Sequence, residues 1–279
     1  MPELPEVETV RRGLDGVLVG RTITGLEVTG RRSVRRQRPG ELVERVVGRR
    51  VVLVERRGKY LALVLDDDQV LVIHLRMSGQ LLSVKDPHAL PRAPHTHVVM
   101  GLEDGSEVRF VDARTFGEWF VTDDVRDDGL PSFFDQLGPD PLVDGLTAPV
   151  LRERIAGKRT AIKVALTDQH VVAGIGNLYA DEICYAARVL PTRRCDTLDE
   201  EEIRGIAAAA RRILREAIVL RGSSLRDARY RDLMGDLGGY QTRHRAYGRA
   251  GEGCRRCGGT IERLEIGARS AYCCRGCQH

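Results

Sequence analysis

The sequence predicts an α+β protein in three parts: a mostly β N-terminal half led by one helix, a helical second half, and a cysteine-rich segment at the end. Three observations predict it. Short runs of β-branched and aliphatic residues, bounded by turn residues, follow one another from residue 22 to residue 111. A Pro/Gly-rich stretch, Leu137-Gly-Pro-Asp-Pro-Leu142, interrupts the chain, and beyond it the apolar spacing becomes helical. Five of the seven cysteines lie between Cys254 and Cys277.

The elements follow in order. Val7, Val10, Leu14 and Val17 repeat at helical spacing, so residues Pro5 to Leu18 read as a helix. Pro5 suits its start, where a missing N–H costs nothing. Strands are expected at Thr22–Val28, Arg50–Glu55, Tyr60–Leu65, Val70–Leu75 and Gln80–Val84. Two more, His97–Glu103 and Glu107–Val111, flank the hairpin signal Asp104-Gly105. Beyond the Pro/Gly stretch, helices are expected at Val150–Ile155, Ala161–Thr167, Leu178–Ala187 and Glu200–Val219. Residues 221–246 are rich in Arg and Gly and read as a mobile loop.

Composition bounds the function. A chain of 279 residues suggests two domains at roughly 100–200 residues each, and 42% hydrophobic residues suffice for a real core. No apolar run approaches the ~18–20 residues that span a bilayer, so no membrane partner is expected. The opening MPELPEVETVRRGL has no apolar stretch and is not a signal peptide, which points to a cytoplasmic location. The net charge, 44 − 40 = +4, is too small to establish a polyanionic partner. From Thr242 to His279, however, eight Arg face three Glu, a local basic surplus.

Cys254-Arg-Arg-Cys257 and Cys274-Arg-Gly-Cys277 form two C-x2-C pairs at zinc-site spacing. Each turn can aim two thiolates at one metal, and two turns complete a tetrahedral site. One structural zinc per chain is therefore expected, bound by Cys254, Cys257, Cys274 and Cys277. Cys273 is left over, because its use would turn the second pair into C-x3-C.

Gly174-Ile-Gly-Asn177 reads as a tight turn with Asn177 as helix N-cap, an arrangement suited to an anion such as a DNA phosphate. At the N-terminus, trimming of Met1 would leave Pro2 as a secondary amine, partly uncharged near neutral pH and able to form an iminium with a sugar aldehyde. Glu3 and Glu6 lie beside it and can shuttle protons or complement the helix dipole. Lys59, in Arg56-Arg-Gly-Lys-Tyr60, can point into a cleft or cap a solvated strand end.

Pro-Glu-Leu-Pro-Glu-Val-Glu at 2–8, Gly58-Lys59-Tyr60, His74-Leu-Arg-Met77-Ser-Gly79, Arg114-Thr-Phe116-Gly, the run Gly174 to Glu182 and the terminal cysteines ending Cys277-Gln278 occur in one order. Together they resemble the bacterial formamidopyrimidine-DNA glycosylase family, within the wider group that includes endonuclease VIII. The resemblance covers essentially the whole chain. It implies a β-sandwich domain with flanking helices (residues 1–134), a linker (135–142), a helix–two-turn–helix DNA-binding domain (143–240) and a zinc finger (241–279), with DNA in the cleft between the domains.

It also implies a bifunctional glycosylase and abasic-site lyase of base excision repair, acting as a monomer on double-stranded DNA that carries oxidised bases or abasic sites, and nucleoid-associated when bound. Oxidised purines such as 8-oxoguanine and formamidopyrimidines would be flipped from the stack. By resemblance, Pro2 attacks C1′ to form a Schiff base, Glu3 donates a proton with Glu6 supporting, Lys59 serves β-elimination, and Arg269 serves δ-elimination and phosphate contact. Met77, Arg114 and Phe116 would fill the gap left by the extruded base, an apolar wedge and a cation replacing lost stacking and pairing. His95, Arg114, Lys158 and Asn177 would contact DNA, and Lys163 would face the damaged base. The chain departs from the pattern at Arg275, where the family has proline, at Cys273, where an aromatic is common, and across 221–246. Two alternatives are an endonuclease VIII-like enzyme for oxidised pyrimidines and a non-catalytic zinc-containing DNA-binding protein, which would need neither Pro2 nor Lys59.

Overall fold

In the computed structural model, which describes residues 2–225 and 230–279, the chain divides into two compact units. The first takes residues 1–134 with 220–239, and the second takes 135–219 with 240–279.

The first unit opens with α1 (Leu4–Leu18), followed by β1 (Ile23–Val28) and α2 (Pro39–Val46). Then come β2 (Val51–Arg57), β3 (Tyr60–Leu65), β4 (Val70–His74), β5 (Gln80–Val84), β6 (Thr96–Leu102), β7 (Glu107–Val111) and β8 (Glu118–Thr122). Two antiparallel four-stranded sheets result, in the orders β1-β6-β7-β5 and β2-β3-β4-β8. Residues of both sheets, including Leu61, Leu63, Ile73, Met100, Phe110 and Trp119, share one buried core with Val7, Val10 and Leu14 of α1. This is the sandwich with flanking helices that the resemblance implies.

In this unit, helix α2 and strand β8 were not expected from periodicity. Helix α2 has an N-terminal Pro39 but only Leu42 and Val46 buried, one turn apart. Strand β8 is short and pairs β4 from His74↔Glu118 to Val70↔Thr122, closing the sheet's edge.

The segment expected to be a mobile loop is partly built into the sandwich. Tyr230 and Leu233 lie in the core, and the Ser83 N–H bonds the Leu233 carbonyl at 2.8 Å. Residues 220–239 therefore group with the first unit, whereas the resemblance placed 143–240 in one domain. Residues 226–229 of that loop lie outside the described residues.

The second unit holds α3 (Ala148–Ile155), α4 (Ile162–Thr167), α5 (Asn177–Ala187) and α6 (Glu200–Val219). The hairpin of β9 (Glu262–Ile266) and β10 (Arg269–Cys273) follows. Helix α5 is buried from Leu178 through Tyr185 and packs on α4, α6 and β10. Ile203, Ile206, Ala207, Ala210, Leu214 and Ala217 give α6 one apolar face at 3.6-residue spacing. No helix among the described residues is long and apolar enough to cross a membrane.

Candidate active site

In the first unit the candidate residues sit on α1, on the β2–β3 turn and on three loops. Leu4 is fully buried, so the core anchors the chain one residue from Glu3 and two from Pro2. Glu3 is the helix N-cap, and its N–H donates to Glu6 Oε2 at 2.9 Å. Glu6 Oε1 accepts the Ser223 N–H at 2.8 Å. A Cβ on Gly222 would lie 2.8 Å from that oxygen, and Gly222 has φ +76, so this position suits glycine on both counts. Glu6 thus fastens the helix start to the 220–239 segment rather than merely complementing the dipole.

Lys59 occupies the two-residue turn between β2 and β3, after Gly58 at φ +57. It is only 8% exposed, which overturns the solvated strand-end reading. The turn is fixed from beneath by buried Arg56, which donates to the Gly58 carbonyl at 2.9 Å and to Glu8 Oε2 of α1 at 3.0 Å. Burial alone would raise the Glu8 carboxyl, but Arg12, Arg11 and Arg56 outweigh it and hold it below its usual range. Neither Arg56 nor Glu8 was singled out from sequence, since both look like ordinary charges in Arg-rich surroundings.

His74 packs edge-on against Tyr60, with ring centroids 4.5 Å apart. Burial, helped by Arg76 and Lys59, pushes its pKa down to about 3, so the ring is neutral. Its Nδ1 accepts the Arg76 N–H at 3.1 Å, bracing the loop that carries Met77. Met77 is 39% exposed, so it is not a core methionine. Arg114 and His95 are exposed and Phe116 is half-buried, with the Arg114 guanidinium 4.9 Å above the Phe116 ring. Arg35 donates to the Phe116 carbonyl at 3.0 Å. Burial would raise Glu118, yet Arg36, Arg35 and Arg76 keep that carboxyl below its usual range.

The second unit holds Lys158, Asn177, Arg269 and the cysteines. Lys158 is half-buried just after α3. Asn177 is the first residue of α5 and Gly176 the N-cap, which corrects the expected capping role of Asn177. The turn before it is held by Gln169, whose Oε1 accepts the Gly174 N–H and whose Nε2 donates to the Ile175 carbonyl, both at 2.9 Å. Arg269 is exposed at the first position of β10, beside the hairpin turn.

Lys163 does not face outward. It is 2% exposed, lies 2.7 Å from buried Asp181 and donates to the Ser270 carbonyl at 2.5 Å. It therefore ties α4, α5 and β10 together, and the expectation that it faces a damaged base is corrected. Glu182 next door accepts the N–H groups of Arg245, Ala246 and Tyr247 at 2.8–3.0 Å, holding the start of the cysteine segment. Both acids stand in the Gly174–Glu182 run; only their burial, which one sequence does not display, reveals the role.

The Sγ atoms of Cys254, Cys257, Cys274 and Cys277 all lie within 4.8 Å of one another. Cys254–Cys277 is 3.7 Å and Cys257–Cys274 is 3.5 Å. A tetrahedral zinc with Zn–S near ~2.3 Å puts its sulfurs about 3.8 Å apart, so the cluster has metal-site dimensions. Cys273 ends a strand whose side chains alternate, is fully buried, and is not part of the cluster. Burial, then Glu262, pushes its thiol up to about 11.

Two family models match the chain: the formamidopyrimidine-DNA glycosylase N-terminal domain over residues 1–119 and the formamidopyrimidine-DNA glycosylase H2TH domain over residues 137–229. The formamidopyrimidine-DNA glycosylase of Herpetosiphon aurantiacus is 43% identical across the full length of both chains. The Lactococcus lactis Fpg, solved with DNA containing an abasic site, superposes with a TM-score of 0.90 at 34% identity over 99% of each chain. MutM solved with DNA containing carbocyclic 8-oxo-G gives 0.88 at 36% identity over all of both chains.

Proposed function

The chain belongs to the formamidopyrimidine-DNA glycosylase family, and from that premise we propose that it excises oxidised purines from duplex DNA and cleaves the strand at the resulting abasic site. With Met1 removed, the Pro2 secondary amine attacks C1′ of the flipped nucleotide. The C1′–N9 bond breaks, the base leaves with its proton supplied through Glu3, and an iminium joins Pro2 to the opened sugar. Loss of the C2′ proton then expels the 3′ phosphate in β-elimination, with Lys59 placed to assist, and a second elimination expels the 5′ phosphate, with Arg269 on that phosphate.

The observation that carries the catalytic assignment is the Arg56 bridge. It joins the turn bearing Lys59 to the helix that begins at Glu3, so the two chemistry-bearing segments share one rigid support. A binding protein would have no use for a largely buried lysine held this way. Arg114, Met77 and Phe116 take the place of the extruded base, while Lys158, His95 and the α5 start at Asn177 bind phosphates. Cys254, Cys257, Cys274 and Cys277 hold one structural zinc, which fixes the hairpin carrying Arg269. The setting is the bacterial nucleoid.

The test is incubation with duplexes bearing 8-oxoguanine, a formamidopyrimidine, a 5-hydroxypyrimidine or an abasic site, with products resolved by size and end group. Fastest cutting at the oxidised purines, with phosphate at both new ends, is expected. Preference for 5-hydroxypyrimidine would move the chain to the endonuclease VIII side of the family.

A further inference from the structure

The loops carrying Met77 and Arg114–Phe116 are far apart in sequence, and a third loop carries His95. One buried residue joins all three, through its carboxylate and its backbone. Asp112 follows β7 and is 0% exposed. Its Oδ1 accepts the hydroxyl of Ser78, the neighbour of Met77, at 2.5 Å and the Arg114 N–H at 3.1 Å. Its Oδ2 accepts the Gly117 N–H at 2.7 Å. The Asp112 N–H donates to the His95 carbonyl at 3.0 Å, and its carbonyl accepts the Thr115 N–H at 3.1 Å and lies 2.9 Å from His97 Nε2.

The backbone of these same loops is unusual. Arg76, His95 and Thr115 each have positive φ, at 52°, 66° and 54°, although none is glycine. Such conformations persist only where surrounding contacts over-determine them, and they gather at functional sites. Gly117 is equally constrained, since a Cβ there would lie 2.2 Å from the Phe110 ring. The tips of the loops are exposed, Met77 and Arg114 above all, while their roots converge on Asp112.

We propose that Asp112 is a positioning residue that locks the Met77 loop and the Arg114–Phe116 loop into one rigid wedge for opening the duplex at a lesion. The inference rests on the wedge reading of Met77, Arg114 and Phe116 and adds what holds the wedge together. An exposed side chain can replace a stacked base only if the backbone beneath it does not yield. Three hydrogen bonds from two loops converge on this one buried side chain, and they supply that stiffness.

Asp112→Asn keeps the size but sets an amide N–H2 against one of the donors, and Ser78→Ala removes only the arm to the Met77 loop. Both are compared with Met77→Ala and the parent on 8-oxoguanine and preformed abasic duplexes, under single turnover. A 2-aminopurine beside the lesion reports unstacking, and melting temperature and zinc content report folding. Asp112→Asn should slow 8-oxoguanine excision about 30-fold, the effect of one mispaired buried donor. The rise in 2-aminopurine fluorescence should slow in parallel, with abasic-site cleavage largely retained. Ser78→Ala should show the same selectivity at a smaller size, and it decides the matter if Asp112→Asn does not fold. If both variants slow the two substrates equally, or leave unstacking unchanged while Met77→Ala impairs it, the proposal is overturned and the wedge reading stands. If Met77→Ala itself shows no selectivity, the wedge reading falls and the proposal with it.

Discussion

Arg56 and Glu8 form a buried ion pair 3.0 Å apart, and the same guanidinium holds the carbonyl of Gly58, one residue before Lys59. Desolvating two charges is costly, so this contact is weak evidence of net stability but strong evidence of a fixed geometry. Its consequence is that the Lys59 turn and α1 cannot shift independently.

Arg56→Met should therefore cost more than an ordinary surface charge. Removing one partner leaves buried Glu8 paired with Arg11 and Arg12 among the described residues. We expect a loss of about 3 kcal/mol or more in unfolding free energy, read from urea denaturation. Arg11→Met, on a more exposed residue, should cost well under half as much. Equal costs for the two would show that the bridge is not special.

The zinc assignment predicts different outcomes for neighbouring cysteines. Cys274→Ser should lower bound zinc well below one per chain and weaken DNA binding, while Cys273→Ser should retain the metal. Cys273 lies outside the thiol cluster and its burial already disfavours the thiolate that a metal needs. Metal analysis of the two purified variants decides, and zinc loss from Cys273→Ser alone would reverse the ligand choice.

Much of the fold was legible because its cues are local. The hairpin signal Asp104-Gly105, the helical spacing of α1 and α6 and the Pro/Gly stretch at 137–142 each declare themselves within a dozen residues. The cysteine pairs do so by spacing alone. What stayed hidden depends on burial and long-range pairing. Lys163 reads as a residue facing the damaged base until the packing of α4 on α5 brings Asp181 to 2.7 Å. Tyr230 and Leu233 read as part of an Arg-rich loop until the sandwich encloses them. Pro2 stands out through the chemistry of an N-terminal secondary amine, whereas Met77 is unremarkable by composition and the role of Lys59 rests on the order of the motifs.

His74 predicts a pH dependence. Its folded pKa, about 3, lies below the ordinary 6.5, so the unfolded chain takes up the proton first as pH falls. Stability from this residue is complete above about 6.5 and is lost toward pH 3, at no more than about 1.4 kcal/mol per pH unit. His244, lowered to about 4 by burial, adds a loss of the same sign in the second unit. Urea midpoints at pH 7.0, 5.5 and 4.5 should fall for the parent and fall less for His74→Asn. Parallel curves for the two would mean that His74 is not buried neutral.

The last prediction concerns the amine itself, on which the enzymatic assignment turns. Attack by Pro2 on C1′ leaves an iminium, and borohydride should reduce it to a permanent protein–DNA adduct that maps to the peptide beginning at Pro2. An uncleaved N-terminal tag makes that nitrogen an amide with no available lone pair. Tagged protein should accordingly bind DNA yet neither cut nor crosslink. Lys59→Ala should slow strand cleavage at an abasic site while still trapping on it, because the Pro2 amine that forms the iminium remains. Pro2→Gly is a poorer test, since a primary amine persists and can react in its place. Normal crosslinking by tagged protein, or an adduct at Lys59, would transfer the nucleophile's role away from Pro2. Crosslinking by no variant on any lesion would leave the zinc-containing binding protein as the better account of the same residues.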